Sequence, residues 1–502
     1  MLFKHSKHSA EVKASGKTGI HILILIVLGF AVYSNVLSNG FIGDDHVKVE
    51  KNLFYRSLVN LPHLFDSSYL AYQNDYFYKD PPYFSSGEVS YRPMISLFYF
   101  MDYQIWHENP FGWHLDSILL HILNVVLVYI FVSMILRSEK IGLLSAVLFC
   151  VHPIQAEVVN AISYRHAMLD AFFVLWAFIF YIKGKEVSPK WGRALYVLSV
   201  VCYFLGVFSR ESAVVFPVML FLYDYFILGK KDVLLPREFF RRYIWFYVVT
   251  VFFLFIYFFV FPNTALPDNQ LLGGSLGWHV LSIALNFFRY LFWLIFPMFV
   301  NVIPPLYAPD ISHTPFKETI ICCLSFLAFV VLAVQCFRIE KKVLLFLLWF
   351  IVFFIPVSNV IPLANPVAHR FMYLPSIGVC VLGGIFFEKI LCEFRRLGYV
   401  LIVAMVLMSC SMTFSINMLW KNELRLFLAL VRLYPENKKS HEVLGMAYFN
   451  LGLYQEAKTY LRKALEMGST DPRMQKELKM IADKETESKN PSGSLEQGGV
   501  GQ

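Results

Sequence analysis

The chain has 502 residues, 57% of them hydrophobic and only 16% charged, with a formal net charge of +8 and a mean hydropathy of +0.55. A soluble domain carries roughly 25% charged residues, so that class is excluded. The basic excess lies between apolar runs, where it marks membrane topology rather than nucleic-acid binding.

The basic stretch 1–19 precedes a first apolar run, 20–38, with no small-residue cleavage site after it. We expect an uncleaved first helix with a cytoplasmic N-terminus. A span needs about 17 to 25 apolar residues. Further runs that meet this, some by borrowing flanking residues, lie at 113–136, 141–157, 166–183, 194–209, 212–228, 243–261, 319–337, 342–357, 372–391 and 399–418. The run 279–299 is ambiguous. Lys/Arg-rich connections at 136–140, 183–193 and 229–242 read as cytoplasmic. If 279–299 is re-entrant or interfacial, the basic segments 337–342 and 392–396 also fall inside. The predicted fold is therefore all-α, a polytopic membrane protein of about eleven transmembrane helices with its C-terminal region outside. The eight cysteines (Cys150, Cys202, Cys322, Cys323, Cys336, Cys380, Cys392, Cys410) sit in or beside the apolar runs and read as core packing.

The loop 39–112 is far longer than ordinary connectors and rich in Tyr and Phe, as in "YLAYQNDYFYKDPPYF" (69–84). Short helices lying on the membrane surface would account for it. From Lys438 the pattern changes. Leu444-Gly445, Tyr448, Gly452, Tyr454, Ala457, Leu461 and Ala464 have the spacing of a tetratricopeptide repeat, and 420–439 resembles the second helix of a preceding one. The helical region is placed at 420–486, with a capping helix at 473–485 and a Gly/Ser-rich, disordered tail at 487–502. It is expected to hold a partner, or else to act as a spacer.

Charges are costly near hydrocarbon and commonly mark a reaction site or substrate path. This topology sends Asp44, Asp45, Arg92, Glu157, Arg165, His166, Asp170, Arg210, Glu211, His369 and Arg370 to the outer boundary from five separate segments. Taken singly, each has a plainer explanation, a snorkelling arginine or a polar helix end. Convergence is the stronger signal. No phosphate-binding loop or dinucleotide fingerprint is present. A lipid-phosphate donor would reach the outer face within the bilayer. Arginines suit its departing phosphate, and a carboxylate suits deprotonation of an acceptor hydroxyl. Asp102 and Asp116 read as ordinary polar residues.

Seven motifs occur in a fixed order: "FIGDDHVKVEKN", "YRPMISLFYFMDYQIW", "NPFGWHLDSILLHILN", "HPIQAEVVNAISYRHAMLDAFF", "SRESAVVFPVMLFLYDY", "HRFMYLPSIG" and "WKNELRLF". Followed by repeat sequence, this series resembles the transmembrane O-mannosyltransferases that carry tetratricopeptide repeats, within the glycosyltransferase-C superfamily. The resemblance implies inverting transfer of one sugar, typically mannose, from a polyprenyl or dolichyl phosphate to a Ser/Thr hydroxyl. It implies Asp44, Asp45 and Glu157 as catalytic residues. Arg165, His166, Arg210, His369 and Arg370 become phosphate ligands, and Arg92, His152, Glu211 and Tyr373 substrate contacts. No cofactor or metal ligand is assigned beyond the lipid-linked sugar donor, and a divalent metal stays open. The partners implied are that lipid and an acceptor protein or glycan. There are three departures from the family pattern, the first being a repeat region much shorter than in the animal members. His166 stands where relatives tend to have a small residue, and the repeat's final proline, Pro472, comes three residues late.

The short repeat region points to a bacterial member, in the inner membrane with a periplasmic C-terminal region; a eukaryotic one would sit in the endoplasmic reticulum. Competing readings are an O-antigen-type oligosaccharide ligase, a non-catalytic scaffold and a transporter. The early position of the large loop disfavours the ligase, and the lack of repeated halves disfavours the transporter.

Overall fold

A computed structural model describes residues 16–70, 85–262, 275–300, 340–363 and 365–489. Among them the regular elements are all helical, and the one extended pairing is an isolated bridge between Leu70 and Glu88. In chain order the α-helices are α1 (Gly16–Tyr33), α2 (Pro93–Trp106), α3 (Pro110–Leu136), α4 (Glu139–Val151), α5 (Ala156–Asn160), α6 (His166–Gly184) and α7 (Pro189–Val207). They continue with α8 (Phe216–Phe226), α9 (Pro236–Phe255), α10 (Leu276–Ile295), α11 (Lys341–Phe354), α12 (Ser376–Glu393) and α13 (Arg395–Leu419). Four more form the C-terminal region: α14 (Glu423–Leu433), α15 (Lys438–Asn450), α16 (Tyr454–Glu466) and α17 (Pro472–Lys489).

This is a multi-pass membrane protein. Seven helical segments of the described residues are long and apolar enough to cross a bilayer, and an eighth results if α4 and Pro153–Asn160, bent by 52°, form one broken span. The expected eleven is not reached among the described residues, for local reasons. The run 212–228 opens as a 3-10 turn at Glu211–Val215, which leaves α8 only 11 residues. The run 342–357 yields a 14-residue helix, and 319–337 lies outside the described residues. The ambiguous run 279–299 forms one continuous 20-residue helix, α10, and not a re-entrant hairpin. Its polar face (His279, Ser282, Asn286) is buried at helical spacing.

Helices α3 and α6 form the centre and bury most of their length, whereas α9 and α13 are largely exposed. The exposed residues are apolar, such as Val248, Val251 and Phe255 on α9 and Val403, Leu407 and Phe414 on α13. That is the surface a helix presents to lipid, whose tails are as apolar as the core. Phe131 of α3 meets Phe178 of α6 and Trp349 of α11 at ring distances of 5.1 and 5.2 Å. Helix α12 lies so close to α4 that a Cβ on Gly384 would fall 2.3 Å from Ser145 Oγ. The described cysteines carry free thiols, Cys150 and Cys380 buried; Cys322, Cys323 and Cys336 are outside the described residues.

Between α1 and α2 the chain makes a π turn (His46–Glu50) and short 3-10 turns (Phe54–Arg56, Leu58–Phe65). Most of the aromatic stretch 69–84 is outside the described residues, as are residues 1–15 and the tail from 490. Helix α14 buries Leu426 and Leu430 in the same cluster as Ile416, Trp420 and Ile42 of the membrane domain. Helices α15 and α16 pair, and Met474 and Ile481 of α17 close over Ala457, Leu461 and Ala464.

Candidate active site

One end of the helical bundle collects the ionisable side chains. They come from the segment after α1, the start of α2, the bend between α4 and α6, the turn between α7 and α8, and the segment before α12. The bend exists because Pro153 follows the last turn of α4, where no proline can continue the helix without losing a hydrogen bond. His152 then caps the new turn: its Nδ1 accepts the Ile154 N–H at 3.2 Å, which leaves Nε2–H to donate to the Leu294 carbonyl at 3.2 Å.

The two adjacent aspartates have different environments. Asp45 is fully buried and accepts the backbone N–H of Ser163 at 2.7 Å and of Ile162 at 3.3 Å. Burial pushes its carboxyl up to about 6 even though those amide bonds favour the charged form. Asp44 is half-buried, and none of the hydrogen bonds or ion pairs among the described residues involves it. It lies within electrostatic reach of Arg370 and Tyr164. Gly43, at φ +57°, supplies the left-handed turn that separates Asp44 from the buried Ile42.

Glu157 and Arg370 are bound face to face. Arg370 Nη1 donates to Glu157 Oε1 at 2.6 Å, and the Arg370 backbone N–H donates to Oε2 at 2.9 Å. The guanidinium also lies 4.1 Å from the centroid of the Tyr164 ring. Arg210 reaches the Arg370 carbonyl at 3.1 Å, so the two arginines are adjacent. Among the described residues no carboxylate lies within ion-pair distance of Arg210. Burial lowers it to about 10, against the opposing pull of Glu211. Arg92 holds Glu211 bidentately, at 3.0 and 2.7 Å. Burial disfavours the Glu211 charge, yet Arg92 outweighs it and keeps the carboxyl at about 2. Behind Arg92 lies a fully buried Glu88, ion-paired to Lys48 at 2.8 Å. Neither Glu88 nor Lys48 was singled out in the sequence, because one lone charge in a loop carries no local signal.

Of the other sequence candidates, Arg165 and Tyr373 are engaged in the interior, whereas His166, Asp170 and His369 lie beside this cluster. Arg165 is buried with every edge of its guanidinium engaged, by Asp102, Ser117 Oγ (3.1 Å) and the Trp113 carbonyl (2.7 Å). It fastens α2 and α3 to α6 through three of its five N–H groups. Asp102 is thus more than a polar surface residue, and Asp116 accepts Trp106 Nε1 at 2.7 Å. Tyr373 is in the interior, where its hydroxyl meets His121 Nδ1 at 2.8 Å and Asn124 Nδ2 at 3.2 Å. His166 is bound to the Ser163 carbonyl at 3.1 Å, and Asp170 accepts Ser212 Oγ while its Oδ1 has no partner among the described residues. His369 packs edge-on against Trp293, and burial lowers it to about 4, leaving Nε2 neutral and unpartnered among the described residues. Among the described residues no three His, Cys, Asp or Glu side chains gather as a metal ligand set.

A chain of hydrogen-bonded asparagines runs beside the site. Asn39 Nδ2 donates to Asn160 Oδ1 at 2.8 Å, Asn160 Nδ2 to Asn417 Oδ1 at 2.7 Å, and Asn417 Nδ2 to Asn35 Oδ1 at 3.1 Å.

No family model matches the chain. It is similar to the protein O-mannosyl-transferase F38B6.6 of Caenorhabditis elegans, 24% identical over 455 residues that make up 89% of this chain and 62% of that one. It is also similar to the human protein O-mannosyl-transferase TMTC3, 24% identical over 90% of this chain and 52% of that one. The human TMTC1 is 26% identical over 76% and 48%, respectively. The chain therefore spans about half to three-fifths of these relatives' lengths, and the resemblance drawn from the ordered motifs holds across most of it. Among solved structures it is similar to ArnT from Cupriavidus metallidurans bound to undecaprenyl phosphate (TM-score 0.42, 12% identity, 90% of this chain and 75% of that one). It is also similar to the Archaeoglobus fulgidus oligosaccharyltransferase (TM-score 0.46, 12% identity, 80% and 55%).

Proposed function

We propose that this protein is an inverting glycosyltransferase that moves one mannose-like sugar from a polyprenyl-phosphate donor to an acceptor hydroxyl, a protein Ser or Thr, at the outer face of its membrane. The observation that carries the reading is that Asp44 lies within electrostatic reach of Arg370, whose backbone carbonyl accepts from the neighbouring Arg210. Asp44 is the base: it has no other hydrogen-bonding duty among the described residues, whereas both oxygens of Asp45 are taken by backbone amides. Asp45 thereby positions the loop. The O-mannosyl-transferase names of the similar chains support the sugar and the acceptor.

In the reaction, Asp44 accepts the proton of the acceptor hydroxyl as its oxygen attacks the anomeric carbon. The bond from that carbon to the phosphate oxygen breaks, and the electron pair leaves on the polyprenyl phosphate. Arg210 and Arg370 receive the growing negative charge from a site already shaped for it, so little reorganisation opposes the step. Glu157 orients Arg370 by gripping both its guanidinium and its backbone N–H. The C-terminal helical region would guide the acceptor, placing it on the periplasmic side of a bacterial inner membrane or the lumenal side of the endoplasmic reticulum.

The test is transfer from a synthetic polyprenyl-phosphate mannose to Ser/Thr peptides by the purified chain. Asp44→Asn should lower kcat roughly 10²- to 10⁴-fold, the usual worth of a positioned base. Undiminished transfer by that variant would remove Asp44 from the chemistry, and transfer only from a pyrophosphate-linked glycan would favour the ligase reading.

A further inference from the structure

The motif "WKNELRLF" follows the last membrane helix, and the chemistry above gives it no role. In the structure it touches the acidic loop directly. Glu423, the first residue of α14, accepts the backbone N–H of Gly43 on Oε1 at 3.0 Å. The same oxygen is 3.5 Å from His46 Nε2, and His46 Nδ1 is 2.5 Å from Glu50 Oε2. Three residues earlier the Gly40 N–H donates to the Lys421 carbonyl at 3.2 Å, and Trp420 is buried in the same apolar cluster as Ile42. Residues 40 to 46 are therefore held from both ends by a segment 380 positions downstream, with Asp44 between the two points of attachment.

We propose that Glu423 is a positioning residue for the transfer reaction, fixing the loop that carries Asp44 by binding the Gly43 amide and the His46 imidazole. This rests on Asp44 as the base. Three features make the contact a clamp rather than an incidental surface pair. First, Gly43 is in the left-handed region and a Cβ there would meet nothing, so the peptide N–H, not side-chain packing, fixes the turn. Second, His46 is charged: burial opposes the proton, but Glu423 and Glu50 together raise it to about 9, so a carboxylate–imidazolium–carboxylate bridge exists at neutral pH. Lys51 adds its charge on the Glu423 side. Third, α14 does not need Glu423 in order to start, because the Asn422 side chain caps it by accepting the Arg425 N–H at 3.0 Å. The clamp makes the C-terminal helices a structural part of the active site and not only a receptor for the acceptor.

The experiment uses the full chain in detergent or nanodiscs, with two variants and two readouts. Glu423→Ala removes the acceptor. Glu423→Gln keeps a carbonyl oxygen for the Gly43 N–H and loses only the charge. Hydrogen–deuterium exchange over a peptide covering residues 40–46 should rise at least roughly tenfold in Glu423→Ala and stay within about threefold of wild type in Glu423→Gln. Transfer kinetics should show kcat reduced at least roughly tenfold in Glu423→Ala with KM for the lipid donor within about twofold, and kcat largely restored in Glu423→Gln. Unchanged exchange in Glu423→Ala would overturn the clamp. Raised exchange with unaltered kcat would overturn its role in positioning. If the wild-type chain transfers no sugar, the proposed reaction fails on its own, and the exchange readout still decides the clamp.

Discussion

The Glu157–Arg370 pair offers the sharpest separation of stability from chemistry. Glu157 is 2% exposed at its side chain and Arg370 12%, so both charges have left water and each depends on the other. Arg370→Met strands the carboxylate. Removing one partner of such a buried pair costs about 3–5 kcal/mol. Glu157→Gln in the same chain removes the stranded charge and still offers an oxygen to the backbone N–H at position 370, which Glu157 Oε2 now accepts at 2.9 Å. Without that acceptor a buried N–H would itself cost about 1–3 kcal/mol. The double variant should therefore recover most of the loss, to within about 1–2 kcal/mol of wild type. The assay is thermal unfolding of the purified protein in one detergent, run beside the transfer reaction on all four members of the cycle. Arg370→Met should have the lowest midpoint, the double variant should approach wild type, and neither should transfer sugar. A double variant as unstable as Arg370→Met would refute the pairing energetics. A double variant that transfers sugar normally would remove both residues from the mechanism.

Other expectations follow from the same contacts. Arg210→Met should abolish transfer with little change in unfolding midpoint, since no ion pair is broken among the described residues, whereas Arg165→Met should lower the midpoint and membrane yield by stranding Asp102. For Asp45, the folded pKa of about 6 lies above the ordinary 3.8. The folded state therefore binds the proton more tightly, and the stability this brings is full below pH about 4 and lost as pH rises through about 6. Unfolding midpoints of wild type should fall across that window relative to Asp45→Asn, which has no proton to lose; parallel curves would contradict the burial of Asp45. Gly445→Ala should loosen the C-terminal helices by about 1–3 kcal/mol, because the added Cβ would sit 2.7 Å from Leu461 side-chain carbons and 3.1 Å from its backbone N. Limited proteolysis after α13 would detect it.

The sequence displayed the parts of the site but not their pairing. Hydropathy and the outward charges were enough to place Asp44, Glu157, Arg210 and Arg370 at one end, because a bilayer penalises charge wherever it is not needed. Which arginine serves packing and which stays available was not legible. Arg165 and Arg210 occupy equivalent-looking places after apolar runs, and only the fold brings Asp102 to one and, among the described residues, no acid within ion-pair distance of the other. Likewise Glu88 meets Lys48 across 40 residues and Glu423 meets Gly43 across 380, separations at which no periodicity survives. Span boundaries were not legible where a 3-10 turn that a hydropathy window averages away interrupts a helix, as at Glu211–Val215.

The asparagine chain has a consequence for how the protein is made. Asn35 and Asn39 emerge from the ribosome first, Asn160 comes next, and Asn417 is the last of the four, separated from Asn160 by 257 positions. The contact between Asn160 and Asn417, beside the bend that carries Glu157, can form only once α13 has been synthesised. Contacts this far apart in sequence are the slow, late events of folding. This part of the polar network is thus completed only after the whole membrane-embedded stretch from α1 to α13 is present.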